Sequence, residues 1–90
     1  MKATDRFSLS VDVVARAIGE EAVLLDLDSG AYFGLDPVGF RIWRLMESNP
    51  TFVEICDRMV DEYDVERSVV EHDAAALLSE LVEKKLVRVC

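Results

Sequence analysis

Residues 26–40 read DLDSGAYFGLDPVGF, and this short run holds a strand end, a tight turn, a second strand and a helix start. Asp28-Ser29-Gly30 is a hairpin signal, because Gly30 accepts the positive φ of a tight turn and short polar side chains bond the flanking backbone. Before it, AVLLDL (residues 22–27) alternates with period two and puts Val23, Leu25 and Leu27 on one face. After it, AYFGL is short and aromatic, with Gly34 inside it. Asp36 is a good N-cap and Pro37 suits the first helical position, where its missing N–H costs nothing, so a helix is expected from about Val38.

Working outward, VVARAI (Val13–Ile18) supplies an earlier strand, closed by a turn at Gly19-Glu20-Glu21, which makes a three-stranded antiparallel meander. The preceding FSLSV reads as an extended arm. Downstream, the first helix spans residues 38–47 with Val38, Ile42, Leu45 and Met46 on one side and Trp43 flanking them, and it stops at Ser48-Asn49-Pro50. Thr51-Phe52-Val53-Glu54 is a capping box, in which Thr51 and Glu54 each satisfy a free amide at the start of a second helix. Its inner face is expected to be Val53, Ile55, Met59 and Val60, ending near Tyr63. A third helix runs over residues 66–84 with Val70, Ala74, Leu77, Leu78 and Leu81 at helical spacing, and LVRV ends as a short extended tail.

The chain has 90 residues, 51% of them hydrophobic, which suits one domain with one core, residues 1–90. Its 18 acidic and 10 basic residues give a formal charge of -8, unfavourable for nucleic acid or an anionic membrane surface. No apolar run approaches the roughly 20 residues that span a bilayer, and MKATDRFSLS lacks a signal-peptide apolar region, so a cytoplasmic protein is expected. Cys56 and Cys90 show neither C-x-x-C spacing nor a disulfide framework and read as free thiols, Cys56 on a buried helical face.

A meander followed by three helices is an α+β, winged-helix-like arrangement. That fold commonly reads DNA, yet residues 62–83 hold seven acidic residues and one basic residue, Arg67, a balance that phosphates repel. A transcriptional regulator is therefore the alternative, separable by a shift assay with duplex DNA at low salt.

The string VLLDLDSGAYFGLDPVGFRIWRLM (residues 23–46), with Thr51-Phe52-Val53-Glu54-Ile55, Tyr63-Asp64-Val65 and His72-Asp73 leading into LLSELVEKKLV, resembles the PqqD-like family. These are recognition elements that bind leader peptides of ribosomally made, modified natural products. The resemblance covers residues 13–87, and the DLDSGAYFGL form is most similar to the stand-alone recognition proteins of lasso-peptide clusters. It implies a non-catalytic adaptor that takes the precursor leader as a strand added to the third strand of the sheet, in a groove against the third helix. It also implies a separate leader peptidase, cysteine-protease-like, with a ring-closing cyclase acting next. An adaptor for a radical enzyme in pyrroloquinoline quinone synthesis is the alternative within the family.

The residues agree with that implication. AYFGL carries no Lys, Pro or charge of the kind that blunts an edge strand, so Ala31, Tyr32, Phe33, Gly34 and Leu35 are the expected peptide-binding strand. By alternation Tyr32 and Gly34 share one face and Phe33 and Leu35 the other. On the third helix Asp73, Ala76, Leu77 and Glu80 form the expected groove stripe beside the core stripe Val70, Ala74, Leu78 and Leu81; the plainer reading makes Asp73 and Glu80 solvated charges and Leu77 core. Aspartate at Phe33 or Leu35 is expected to abolish leader binding while leaving a folded protein. Arg41 and Arg44 on the first helix are the charge contrast to offer a second partner. The same open edge invites pairing with a second copy, so the oligomeric state stays open. No catalytic group, metal or cofactor is expected: His72 has no ligand-spaced companions, and Cys56 sits where a nucleophile would lack a cleft. Phe40 and Trp43 read as packing between the first helix and the sheet, not as a base-stacking platform.

Overall fold

The computed structural model describes residues 1–89; Cys90 lies outside them. Strands β1 (Phe7–Leu9), β2 (Val13–Ile18), β3 (Glu21–Asp26) and β4 (Tyr32–Leu35) precede helices α1 (Pro37–Leu45), α2 (Phe52–Glu62) and α3 (Arg67–Glu83), and β5 (Val87–Val89) closes the chain. A 3-10 turn, Met46–Ser48, extends α1. The fold is α+β and winged-helix-like, with an antiparallel sheet in the order β2-β3-β4 followed by the three helices.

The β2–β3 hairpin pairs Ile18 with Glu21, so the turn is the two residues Gly19-Glu20 and Glu21 already belongs to β3. Gly19 takes φ 64°, the positive value such a turn needs at its first central residue. The β3–β4 connection is organised by Asp26, two residues before the turn signal read from the sequence. Asp26 accepts from the Asp28 amide at 3.0 Å and from the Ser29 hydroxyl at 2.9 Å, and its carbonyl accepts from the Gly30 amide at 2.7 Å. Those bonds, Ser29 first, hold the Asp26 carboxyl below its ordinary range.

The core-facing side of β3 is Ala22 and Leu24, both buried, whereas Val23 and Leu25 point to the other face and Leu27 is 62% exposed. Helix α1 packs Gly39, Ile42, Trp43 and Met46 inward; Val38, expected on that face, is 42% exposed because the first turn of α1 overhangs a cleft. Helix α2 buries Ile55, Cys56 and Met59, with Val53 and Val60 only partly covered. On α3 the buried stripe is Val70, Ala74, Leu78 and Leu81, with Leu77 partly covered beside it.

The two chain ends, read from sequence as an arm and a tail, pair with each other. Phe7, Ser8 and Leu9 oppose Val89, Arg88 and Val87, and Phe7 and Val87 are essentially fully buried. The N-terminal segment also completes α2. Helices leave their first amides without internal partners; here the amides of Phe52 and Val53 donate to the carbonyls of Asp5 and Ala3 at 2.8 and 3.1 Å. The Glu54 amide donates to Thr51 Oγ1 at 3.3 Å, and Thr51 N–H donates back to Glu54 at 2.8 Å, so the capping box forms as read.

Helices α1 and α2 are joined by Arg41 and Glu62, whose groups meet in a two-pronged pair, Nε to Oε2 at 2.7 Å. That bond holds the Glu62 carboxyl below its ordinary value of 4.5. A carboxyl depressed in the folded state contributes stability above its unfolded pKa and loses it as pH falls through the folded one. Thermal stability is therefore expected to fall once the pH drops below the ordinary carboxyl value of 4.5, and to fall less steeply in Glu62→Gln, as read by melting at each pH. Leu35 is 4% exposed within the core, so Leu35→Ala is expected to cost about 2–5 kcal/mol in denaturant unfolding.

Candidate functional site

Within its sheet β4 is paired only with β3, leaving its other side open among the described residues. Which backbone groups that side presents follows from the ladder's phase. The Asp26 amide donates to the Ala31 carbonyl at 2.9 Å, which makes Asp26 and Ala31 a hydrogen-bonded pair. In an antiparallel ladder such pairs alternate with pairs whose N–H and C=O groups turn away. With Leu25 opposite Tyr32, Leu24 opposite Phe33, Val23 opposite Gly34 and Ala22 opposite Leu35, Phe33 and Leu35 bond inward to β3. Tyr32 and Gly34 thus face their N–H and C=O outward.

That edge borders a cleft of about 490 Å³, lined by Phe33, Gly34 and Leu35 of β4, by Val38 and Ile42 of α1, and by Asp73, Leu77 and Glu80 of α3. Gly39 brings α1 close to its neighbours, since a Cβ there would lie 3.2 Å from Asp36 Oδ1 and 3.5 Å from Leu77 Cδ2. Asp36 also caps α1, accepting from the Gly39 amide at 2.7 Å. A side chain at Gly34 would meet nothing within 4 Å, which leaves room over the strand. Val38, Ile42 and Asp73 are shared with an apolar pocket of about 170 Å³ that runs on among Met59, Tyr63, Val65 and Val69.

The cleft is charged with one sign. Asp36, Asp73 and Glu80 line it, and none of the three has a cationic side chain within ion-pair distance among the described residues. Lys84 sits over the Phe33 ring, 5.8 Å from its centroid.

The structure thus brings together Phe33, Gly34, Leu35, Asp73, Leu77 and Glu80. Ala31 and Tyr32 are exposed on the strand's approach, Tyr32 at 73%, and their side chains do not line the cleft. Ala76 is exposed on α3 and does not line it either; the close approach beside the cleft is at Gly39 on α1. Leu35 is a core residue as well as a wall, so aspartate there breaks the sheet's packing, and loss of binding would not isolate the groove. Sequence reasoning missed Asp36, Val38, Gly39 and Ile42. The signal was the DPVGF run itself, where a glycine two residues after the helix-starting proline marks a close approach.

Cys56 is fully buried, and burial pushes its thiol up, away from the nucleophilic thiolate form, while His72 is exposed on α3. Among the described residues no helix is long and apolar enough to cross a membrane.

Comparison with known proteins adds to this geometry. No curated protein sequence matches the chain. A structure of TbiB1 in complex with the TbiA(beta) leader peptide is 44% identical, with TM-score 0.83, covering 90% of this chain and 94% of that one. A lasso peptide synthetase B1 complexed with its leader peptide is 28% identical, with TM-score 0.80, covering 91% of this chain and 96% of that one. Residues 21–87, from the first residue of β3 to the first of β5, match the family model of coenzyme PQQ synthesis protein D (PqqD), and the chain belongs to that family.

Proposed function

We propose that the protein is a non-catalytic adaptor that captures the leader of a ribosomally made precursor, of the lasso-peptide type, as a strand added to β4. One observation carries this reading: the outward backbone groups of Tyr32 and Gly34 border a cleft walled by α3. That two solved relatives are complexes with leader peptides supports it. The family model, described by coenzyme PQQ synthesis, favours the second reading of an adaptor to a radical enzyme, but the 44% identical neighbour weighs toward the first.

The magnitudes divide the labour. Two N–H donors and two carbonyls on Tyr32 and Gly34 make four main-chain bonds, together about 2–6 kcal/mol net at 0.5–1.5 each. Micromolar binding needs about 8 kcal/mol. Side chains must supply the rest and offset the ordering of a free peptide, so apolar anchors are required. Phe33 and Leu77 in the cleft, and the pocket behind Val38 and Ile42, are where they fit. The carboxylates of Asp36, Asp73 and Glu80 select a leader with a lysine or arginine opposite α3. The held leader is presented to a separate cysteine-protease-like peptidase, and a cyclase acts on its product. Tethering raises the effective concentration of the cleavage site without new chemistry.

Calorimetry with the cognate leader peptide tests the reading. Gly34→Pro removes one outward N–H at an edge position that tolerates proline, so it is expected to leave melting nearly unchanged and weaken leader binding by on the order of tenfold or more. Unchanged affinity would overturn strand addition. The pair Asp73→Lys and Glu80→Lys is expected to weaken binding of a lysine-bearing leader and to flatten its salt dependence, and equal affinity would remove the charge selection. In a shift assay with duplex DNA at low salt no complex is expected; a shift would favour the regulator.

A further inference from the structure

On the other flank of α1 the charge reverses. Arg41, Arg44 and Arg58 line a shallow trough of about 460 Å³ with Leu45, Glu47 and Ser48. Through Leu45, Ser48 and Arg58 it continues into a second depression of about 250 Å³, which Arg6 also lines. Four of the ten basic side chains of a chain with formal charge -8 thus converge on one surface.

Carboxylates offset two of them, Arg6 beside Glu54 and Arg41 beside Glu62, and Glu47 also lines the trough, so the unopposed positive charge is that of Arg44 and Arg58. Glu54 lies 3.8 Å from Arg6, Asp57 is held by Arg67 at 2.6 Å, and Glu62 pairs with Arg41. Arg44 and Arg58 have no carboxylate within 4.0 Å among the described residues. One of these two guanidiniums is also held in place before any partner arrives: Arg44 lies 6.0 Å from the Phe40 ring centroid. A pre-ordered guanidinium loses less freedom on meeting a carboxylate and offers it a two-pronged bond.

We infer that this trough docks an acidic, Asp- or Glu-bearing segment of a protein partner. The rest of the chain is acidic on balance, so the trough favours where such a segment lands and how it is oriented. A nucleic acid is a poorer fit, since a phosphate backbone continues past the trough onto the surrounding acidic surface. Val38 and Ile42, on a neighbouring face of the same helix, line the leader cleft. A partner in the trough therefore sits about one helix diameter, roughly 10–12 Å, from a bound leader. That this partner is the processing enzyme rests on the leader-capture reading; the docking of an acidic segment does not.

The test is an NMR titration of the full chain with a short glutamate-rich peptide, with duplex DNA as a second arm. The peptide is expected to shift the Arg44 and Arg58 side-chain signals and the amides of Leu45 and Ser48, saturably and less at high salt. In Arg44→Glu/Arg58→Glu its affinity is expected to fall on the order of tenfold or more, and in Arg44→Gln/Arg58→Gln by less, with melting retained in at least the glutamine form. Absence of saturable shifts, equal binding to both variants, or preference for DNA over the peptide would overturn the inference. Leader affinity measured on the same variants is expected to be unchanged, so a failed trough and a failed leader cleft give different results.

Discussion

The hydrogen bond from the Asp26 amide to the Ala31 carbonyl sets the phase of the β3–β4 ladder, and the phase decides what the sheet offers its surroundings. Shifted by one residue, the ladder would present Phe33 and Leu35 at the open rim and turn their side chains out of the core. The Asp26 carboxylate holds this phase by bonding Asp28 and Ser29 within the turn, and Gly30 at φ 77° allows the chain to close on it. A few polar atoms at the surface thereby fix both the packing of Leu35 and the outward aim of Tyr32 and Gly34.

An open rim next to a cleft is tolerable only if the rest of the molecule does not loosen around it. Two features outside the cleft secure this. The β1–β5 pair ties the chain ends together over buried Phe7 and Val87, and the N-terminal segment satisfies the first amides of α2. Helix α1, nine residues long, lies between two surfaces of opposite character, a cleft lined by carboxylates and a trough lined by three arginines.

Much of this was legible in the sequence, for local reasons. The capping box, the Asp36-Pro37 helix start and the α3 core stripe each rest on contacts within a few residues, which sequence spacing encodes directly. The β2–β3–β4 meander followed for the same reason, from turn residues between alternating runs. What escaped was non-local. Nothing in FSLSV says that its partner is the far end of the chain, and Val38 looks like core until the helix is seen to overhang a cleft. Period two in AVLLDL identified two faces of β3, but only the packing against the helices chose Ala22 and Leu24 for the inside. Helical spacing gives the neighbours of a stripe without saying which of them lines the cleft, as Leu77 does and Ala76 does not.

Residue-resolved amide hydrogen exchange, with and without saturating leader peptide, tests the central claim most directly. On this account, the amides of Phe33 and Leu35 are protected in the free protein, while those of Tyr32 and Gly34 exchange readily and become protected when the leader binds. If the leader saturates the protein and the Tyr32 and Gly34 amides still exchange as before, the peptide is not lying along β4 and the account fails.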